Sequence, residues 1–168
     1  MANYFDLFCS RRTFKRNILD LIYLYKLIDI ASKELKGGLI AKLGTFISFL
    51  GILVKLLINK SIIMVCLVDG SLIGGAICFK INSRNNRTYI LECIVLEPNF
   101  RGLSYGSTLL SFIEKKLKAI YNNQKPKIVV NTIDSPNNKA ISFYLAFGFT
   151  RTKKIGNSKF VKFEKDIC

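Results

Sequence analysis

The residues whose types and spacing predict a binding site lie between Leu91 and Leu110, in the stretch LECIVLEPNFRGLSYGSTLL. The apolar run that opens it indicates a strand, and Pro98 ends this strand because proline has no N–H for a ladder hydrogen bond. A glycine-containing turn then enters a helix, and the turn consists of Arg101, Gly102, Leu103, Ser104, Tyr105, Gly106 and Ser107. Glycines allow close backbone approach, and the N–H groups of a first helical turn bind anions. The pattern predicts a phosphate-binding loop. It is not a Walker A loop, because no Gly-Lys-Ser/Thr follows at the spacing that such a loop requires.

Composition restricts the chemistry that this loop can support. The chain has no histidine, which excludes histidine-based triads and histidine metal sites. A general base must therefore be a carboxylate, a tyrosine, a chain terminus or water. The five cysteines form no Cys-x-x-Cys pair, and three of them, Cys66, Cys78 and Cys93, fall in predicted strands. This usage favours reduced, buried cysteines in a cytoplasmic protein over zinc ligands or disulfides.

The loop resembles the signature of the GNAT acyltransferase superfamily, Arg/Gln-x-x-Gly-x-Gly/Ala, which reads here Arg101-x-x-Ser104-x-Gly106. A second block, NNKAISFYLAFGF from Asn137 to Phe149, is similar to the family's Asn-x-x-Ala-x-x-Phe-Tyr followed by a Gly-Phe pair. One helix and one strand are predicted between the two blocks, and this order makes the combined pattern specific. The resemblance covers Ser61 to Lys165, whereas residues 1–60 carry no recognisable motif.

The resemblance implies an acyl-CoA co-substrate, most simply acetyl-CoA, and no metal. The backbone N–H groups from Arg101 through Ser107 would hold the pyrophosphate. The pantetheine arm would lie along the strand end like an added strand, with Ile94 and Leu96 as main-chain partners. A backbone N–H within Ile94, Val95 and Leu96 would polarise the thioester carbonyl. Arg101 either adds positive charge to the loop or serves turn geometry.

The resemblance also implies two catalytic side chains and one further contact. Tyr144 matches the family's general acid, which protonates the departing thiolate, although a tyrosine that only packs remains the alternative. Glu92 matches an acidic position that helps deprotonate the amine, and the alternative is a structural carboxylate. Glu92 and Val95 point to opposite faces of a strand unless a bulge intervenes. Asn137 matches a cofactor contact but could equally cap the helix.

Ser104 departs from the family pattern, which usually has a second glycine at this position. Serine is small enough to fit, and its hydroxyl can donate to a phosphate. A positive φ at this position would nevertheless strain a serine, since only glycine adopts it freely.

The remaining elements follow from periodicity and turn signals. Residues Asn3 to Cys9 indicate an edge strand, and apolar residues at helical spacing predict a helix from Phe14 to Leu35. Three antiparallel strands, 61–68, 72–81 and 88–96, then lead to the loop; Asp69-Gly70 is a hairpin signal, and Gly74-Gly75 indicates a bulge or a close backbone approach. A helix follows the loop, and its predicted apolar face consists of Leu109, Leu110, Phe112, Ile113, Leu117 and Ile120. A strand parallel to its predecessor, a second helix closed by Gly148 and a final antiparallel pair complete the order β-β-β-α-β-α-β-β. The predicted fold class is α+β, a mixed and mostly antiparallel GNAT-like sheet flanked by helices with a parallel central strand pair.

The segment from Leu39 to Ile58 is apolar around most of a predicted helix, apart from one narrow polar stripe. Such a helix must be covered, either by the sheet and a neighbouring helix, by a partner or by a membrane surface. Two lysines, Lys42 and Lys55, argue against a bilayer span.

These observations predict one GNAT-like domain over residues 1–168, with a helical part at 1–60 and the recognisable core at 61–165. The predicted function is transfer of an acetyl or other acyl group from acyl-CoA to an amine in the cytoplasm. The excess of 26 Lys plus Arg over 11 Asp plus Glu, a net charge of +15, attracts polyanions without selecting one. The alternative is a non-catalytic module that binds RNA, ribosomes or anionic membrane through its basic surface. The sequence is also compatible with a homodimer.

Overall fold

The computed structural model of the chain describes residues 2–8, 25–26, 50–51, 54, 61–81, 87–122, 124–135, 138–152 and 160–167. Seven strands lie in this part of the chain: β1 (Ala2–Phe8), β2 (Ser61–Val68), β3 (Ser71–Ile81), β4 (Thr88–Leu96), β5 (Lys127–Ile133), β6 (Thr150–Arg151) and β7 (Phe160–Asp166). A 3₁₀ turn, Pro98–Phe100, and helix α1, Tyr105–Tyr121, follow β4, and helix α2, Lys139–Ala146, follows β5.

The strands form one mixed sheet in the order β1-β2-β3-β4-β5-β7-β6. Strands β4 and β5 pair in parallel, and each of the other neighbouring pairs is antiparallel. This confirms the predicted fold class, including the N-terminal edge strand and the parallel central pair. Strand β7 pairs with β5 and separates it from the short β6, so β6 rather than β7 lies at this edge of the sheet.

The β2–β3 hairpin matches both glycine signals in its sequence. Asp69 and Gly70 have φ values of +49° and +77°, and two positive φ values in succession are typical of a tight hairpin turn. Further along, the pairing of β2 with β3 slips by one residue between Cys66 and Leu67. A Cβ on Gly74 would lie 2.2 Å from the Val95 carbonyl oxygen on β4. The bulge and the close backbone approach predicted for Gly74-Gly75 are therefore both present.

Consecutive buried residues in β2 show that both faces of the sheet are covered, because neighbouring side chains on a strand point in opposite directions. Helices α1 and α2 pack on one face over a core that includes Leu91, Val130 and Phe163. Helix α1 contributes four buried residues, Leu109, Leu110, Ile113 and Leu117. The sequence interpretation also placed Phe112 and Ile120 on this apolar face, and that was wrong. Their side chains remain 36% and 46% exposed, because Phe112 lies on the outer side and Ile120 in the last turn.

Most of the N-terminal predictions lie outside the described residues. Of the helix predicted from Phe14 to Leu35, the structure describes Tyr25 and Lys26, and both are helical. The apolar segment from Leu39 to Ile58 is represented by Leu50, Gly51 and Val54, also helical, and the side chains of Leu50 and Val54 are 46% and 53% exposed. Among the described residues, no helix is both long enough and apolar enough to cross a membrane.

Candidate functional site

The site forms where strand β4 leaves strand β5. The parallel pairing of the two strands ends at Leu91 and Val130, although β4 continues to Leu96 and β5 continues to Ile133. At the same point the pairing of β3 with β4 shifts, since Cys78 faces Leu91 while Ile77 faces Cys93. The extra residue of this β-bulge is Glu92, and a bulge bends the strand that carries it. The two central strands therefore diverge beyond Leu91, and the β5-facing edge of β4 opens.

The bulge also decides which side chains point to the helices. Before it, Tyr89 and Leu91 lie in the core under α1 and α2; after it, Ile94 and Leu96 pack against the same core. In an uninterrupted strand the sequence Leu91, Cys93, Val95 would share one face. The sequence analysis placed Glu92 and Val95 on opposite faces of the strand unless a bulge intervenes. The structure contains that bulge.

The predicted phosphate loop connects β4 to α1 through two residues in the left-handed region. Gly102 has φ +75°, and Ser104, the N-cap residue of α1, has φ +63° and ψ 2°. The strain predicted for a serine with positive φ is therefore present. The Ser104 carbonyl accepts hydrogen bonds from the Thr108 N–H and the Thr108 hydroxyl, each at 3.0 Å. Helix geometry leaves the N–H groups of the preceding first-turn residues without an intrahelical acceptor, so they can bind an anion.

Arg101 fastens this loop to the end of the strand. Its Nε and Nη2 atoms donate to the Leu96 carbonyl oxygen at 3.0 and 2.9 Å. Of the two roles considered for Arg101, these bonds support turn geometry, because the guanidinium holds the loop against β4. Its positive charge nevertheless stays at the mouth of the site, where the side chain is exposed.

The strand end, the loop and helix α2 enclose a cavity of about 430 Å³. This volume lies within the range of small-molecule sites in proteins. The structure brings together the following predicted residues in its lining: Ile94, Val95, Leu96, Arg101, Gly102, Ser104, Gly106 and Ser107. Leu103 and Tyr105 do not line it. The Leu103 side chain is 58% exposed, and the Tyr105 ring packs towards Phe100 with a centroid distance of 6.3 Å.

Three further residues of the lining were missed by the sequence analysis: Lys139, Ala140 and Phe143. They lie in the first turns of α2, and their spacing places them on one helix face. This spacing was visible in the motif block and could have identified them. A Cβ on Gly106 would lie 3.4 Å from Phe143 Cζ, so the first turn of α1 comes close to this face of α2.

Asn138 fixes the N-terminus of α2. Its Oδ1 accepts a hydrogen bond from the Ala140 N–H at 3.0 Å, while its Nδ2 donates to Thr132 Oγ1 at 2.9 Å and to the Ile133 carbonyl at 2.7 Å. The helix cap is therefore Asn138, one residue after the asparagine for which the cap was considered. Asn137, predicted as a cofactor contact, lies outside the described residues.

Tyr144 lies at the other end of α2 and packs into the core, with 5% of its surface exposed. Its ring centroid is 5.4 Å from that of Phe149. The Phe149 N–H donates to the Tyr144 carbonyl and the Gly148 N–H donates to the Leu145 carbonyl, which is a Schellman helix end, with Gly148 at φ +85°. The predicted helix end at Gly148 is confirmed, and it holds the backbone of Tyr144 in place.

The phenol of Tyr144 is in an environment that keeps it protonated. Burial raises the pKa of Tyr144 above its ordinary value, and the nearby Cys93 and Cys78 thiols raise it further. The hydroxyl makes no hydrogen bond to any residue that the structure describes, so its proton is available for donation. Tyr144 itself is not among the residues that line the cavity of 430 Å³.

Glu92 and Cys93 occupy the bulge itself. Glu92 is exposed, and it does not line the cavity of 430 Å³. Burial raises the pKa of the Cys93 thiol to about 12, with a further contribution from the Glu92 charge. Burial likewise raises the pKa of Cys78. These thiols are protonated at neutral pH, which makes them poor nucleophiles. Within the described part of the chain, no cluster of His, Cys, Asp or Glu is arranged to hold a metal ion.

A strand bent away from its parallel neighbour thus leads into a helix N-terminus that can bind an anion. Residues 26–149 match the family model described as Acetyltransferase (GNAT) family. The chain belongs to the GNAT acetyltransferase family. No curated protein matches it at the level of sequence.

Solved structures of GNAT proteins share the fold at low sequence identity. A GNAT acetyltransferase from Staphylococcus aureus Mu50 superposes with a TM-score of 0.71 at 16% identity, covering 100% of both chains. The PaiA N-acetyltransferase from Thermoplasma acidophilum, solved in complex with coenzyme A, gives 0.73 at 18% identity over 99% of each chain. An aminoglycoside 6'-N-acetyltransferase complexed with coenzyme A gives 0.67 at 14% identity, covering 100% of this chain and 97% of the other.

Proposed function

We propose that this GNAT protein is an acetyl-CoA-dependent N-acetyltransferase that moves an acetyl group to an amine. One observation carries the proposal: the opened edge of β4 and the anion-binding N-terminus of α1 border the same cavity. A molecule with a phosphate group at one end and an amide-rich arm at the other fits these two features. The coenzyme A complexes of PaiA and of the aminoglycoside 6'-N-acetyltransferase support the choice of acetyl-CoA.

The residues of the cavity suit each part of this co-substrate. The N–H groups of Tyr105, Gly106 and Ser107 would donate to the pyrophosphate, since the first turn of α1 leaves them free. The main-chain groups of Ile94 and Leu96 on the opened edge would bind the pantetheine amides as a neighbouring strand would. When bound, acetyl-CoA supplies the activated acetyl group.

Two cations would add charge complementarity. Arg101 is held by the Leu96 carbonyl and lies at the mouth of the cavity. Lys139 is exposed at the N-terminus of α2, and its ammonium makes no hydrogen bond or ion pair with another described residue. Lys139 would therefore bind a phosphate without first losing an interaction with another described residue. Its contact should weaken with salt, because it is a contact between exposed charges.

Tyr144 and Glu92 would handle the two protons of the reaction. The amine nitrogen forms a bond to the acetyl carbon while the carbon–sulfur bond breaks. Tyr144 Oη donates its proton to the leaving thiolate, because the phenol stays protonated and its hydroxyl is uncommitted. The Glu92 carboxylate takes the proton that the amine loses. A backbone N–H within Ile94, Val95 and Leu96 stabilises the charge that develops on the carbonyl oxygen.

Thermal unfolding with and without acetyl-CoA tests the proposal. At one hundred times the Kd, binding adds about 2.7 kcal/mol to the free energy of unfolding. For a chain of this size the same energy should raise Tm by roughly 5–10 °C. If neither acetyl-CoA nor a longer acyl-CoA raises Tm, the proposed enzymatic function is refuted. The alternative, a non-catalytic module that binds polyanions through its basic surface, then remains. Transfer to pooled amines, detected by mass, then identifies the acceptor.

A matched pair of variants locates the binding site. In Gly106→Ala the added methyl group meets Phe143 Cζ at 3.4 Å and Leu96 Cδ1 at 3.8 Å, which are ordinary contacts. We expect this variant to keep its fold and to bind acetyl-CoA somewhat more weakly. Gly106→Glu places a carboxylate in the cavity at the helix N-terminus, where the pyrophosphate should bind, and it should abolish the Tm shift. An unchanged Tm shift in a folded Gly106→Glu protein would contradict the proposed placement.

A further inference from the structure

A charged pair that the proposed chemistry does not use lies between the sheet and helix α1. Lys165 on β7 and Glu114 on α1 form an ion pair with Nζ 2.6 Å from Oε1, and their side chains are only 22% and 18% exposed. Glu114 Oε1 itself is buried and has no hydrogen bond in its surroundings. The contact is therefore an ion pair without aligned hydrogen-bond geometry, and Lys165 is the cation that compensates this oxygen.

The same ammonium group also contacts the end of helix α2. Lys165 Nζ donates to the Phe147 carbonyl oxygen at 2.7 Å and lies 4.3 Å from the centroid of the Phe147 ring. Phe147 is the C-cap residue of α2. One side chain on β7 thus touches both α1 and the last turn of α2.

These contacts connect the two helices that border the proposed site. Helix α1 begins at the phosphate loop, and α2 carries Tyr144 three residues before the Phe147 carbonyl. We infer that Lys165 is a positioning residue: by binding Glu114 and the Phe147 carbonyl together, it sets α2, and with it Tyr144, against α1. This inference rests on the proposed function, in which Tyr144 protonates the thiolate held by the α1 loop.

Energetics favour a positioning role over a stabilising one. A largely buried ion pair loses much of its Coulomb energy to desolvation, and well-packed apolar side chains often replace such a pair without loss of stability. The contact with the Phe147 carbonyl, however, is made by the lysine alone. An apolar pair at positions 114 and 165 would remove both buried charges. It would also leave the Phe147 carbonyl at the end of α2 without the Lys165 donor.

The test compares Lys165→Met with the double variant Glu114→Met/Lys165→Met. The single variant should lower Tm, because it leaves the Glu114 carboxylate buried without a cation. The double variant should recover Tm while kcat stays reduced, on the order of ten- to a hundredfold, since small displacements of reacting groups have effects of this size. The KM for acetyl-CoA should change less than twofold. Relative to Lys165→Met, Lys165→Arg should restore most of kcat. Lys162→Met, which removes another lysine of β7 and its ion pair with Glu164, should keep the parental kcat.

Hydrogen–deuterium exchange of the peptide covering residues 139–149 gives a readout that needs no activity. Exchange should be faster in both Met variants, including the thermally recovered double variant, and unchanged in Lys162→Met. Recovery of both kcat and slow exchange in the double variant would overturn the inference, because the pair would then be only structural. If the parent neither binds acetyl-CoA nor transfers acetyl groups, the proposed function fails. The exchange rates then decide alone whether Lys165 positions α2.

Discussion

Replacing Ser104 by glycine tests whether the loop carries backbone strain. Ser104 has φ +63°, and a side chain in the left-handed region costs roughly 1–2 kcal/mol. Glycine removes this cost but gains freedom in the unfolded chain, worth about 0.5–1 kcal/mol. The net gain should be about 0.5–1 kcal/mol, which for a chain of this size raises Tm by about 1–4 °C.

The matched control is the same change three residues later, Ser107→Gly. Ser107 lies within α1 and does not have positive φ, so glycine there relieves nothing and lowers helix propensity by a few tenths of a kcal/mol. Differential scanning fluorimetry should therefore give opposite signs for the two variants. Calorimetric titration should also show that Ser104→Gly binds acetyl-CoA at least as tightly as the parent. A fall in Tm for Ser104→Gly equal to that for Ser107→Gly would refute the strain argument.

Three further predictions concern the site and its supports. Tyr144→Phe keeps the ring packing and removes the proton donor, so steady-state kinetics should show kcat lower by about 10²–10⁴-fold, and titration should show little change in acetyl-CoA affinity. A kcat equal to that of the parent, with chemistry rate-limiting, would mean that Tyr144 only packs. Gly74→Ala should cost about 1–3 kcal/mol or more in denaturant unfolding, because its Cβ would lie 2.2 Å from the Val95 carbonyl oxygen, and unchanged stability would contradict the close approach. Since burial raises the pKa of Tyr144, the folded state holds this proton more tightly than the unfolded state. The contribution of Tyr144 to stability should be constant below the ordinary tyrosine pKa near 10 and be lost as pH rises above it, so the stability of Tyr144→Phe in urea titrations should fall less steeply above pH 10 than that of the parent.

The order of elements and the loop were readable from the sequence because each depends on local chemistry. Proline after an apolar run ends a strand, Asp69-Gly70 makes a hairpin turn, and Gly148 ends a helix through its positive φ. The loop from Arg101 to Ser107 was predicted as an anion site for the same reason, since a helix N-terminus offers free N–H groups wherever it occurs. These features need few partners from distant parts of the chain.

Other features were decided only when distant segments met. The bulge at Glu92 is defined by the register with β3, and the opening of β4 depends on where its pairing with β5 stops. The exposure of Phe112 depends on how α1 rotates over the sheet, and the lining by Lys139 and Phe143 depends on how α2 packs beside α1. The sequence by itself therefore determined the local turns and the helix end at Gly148, and it predicted the anion loop. Tertiary packing decided the shape of the cavity and the contacts of Lys165 with two helices, because both arise from segments far apart in the chain.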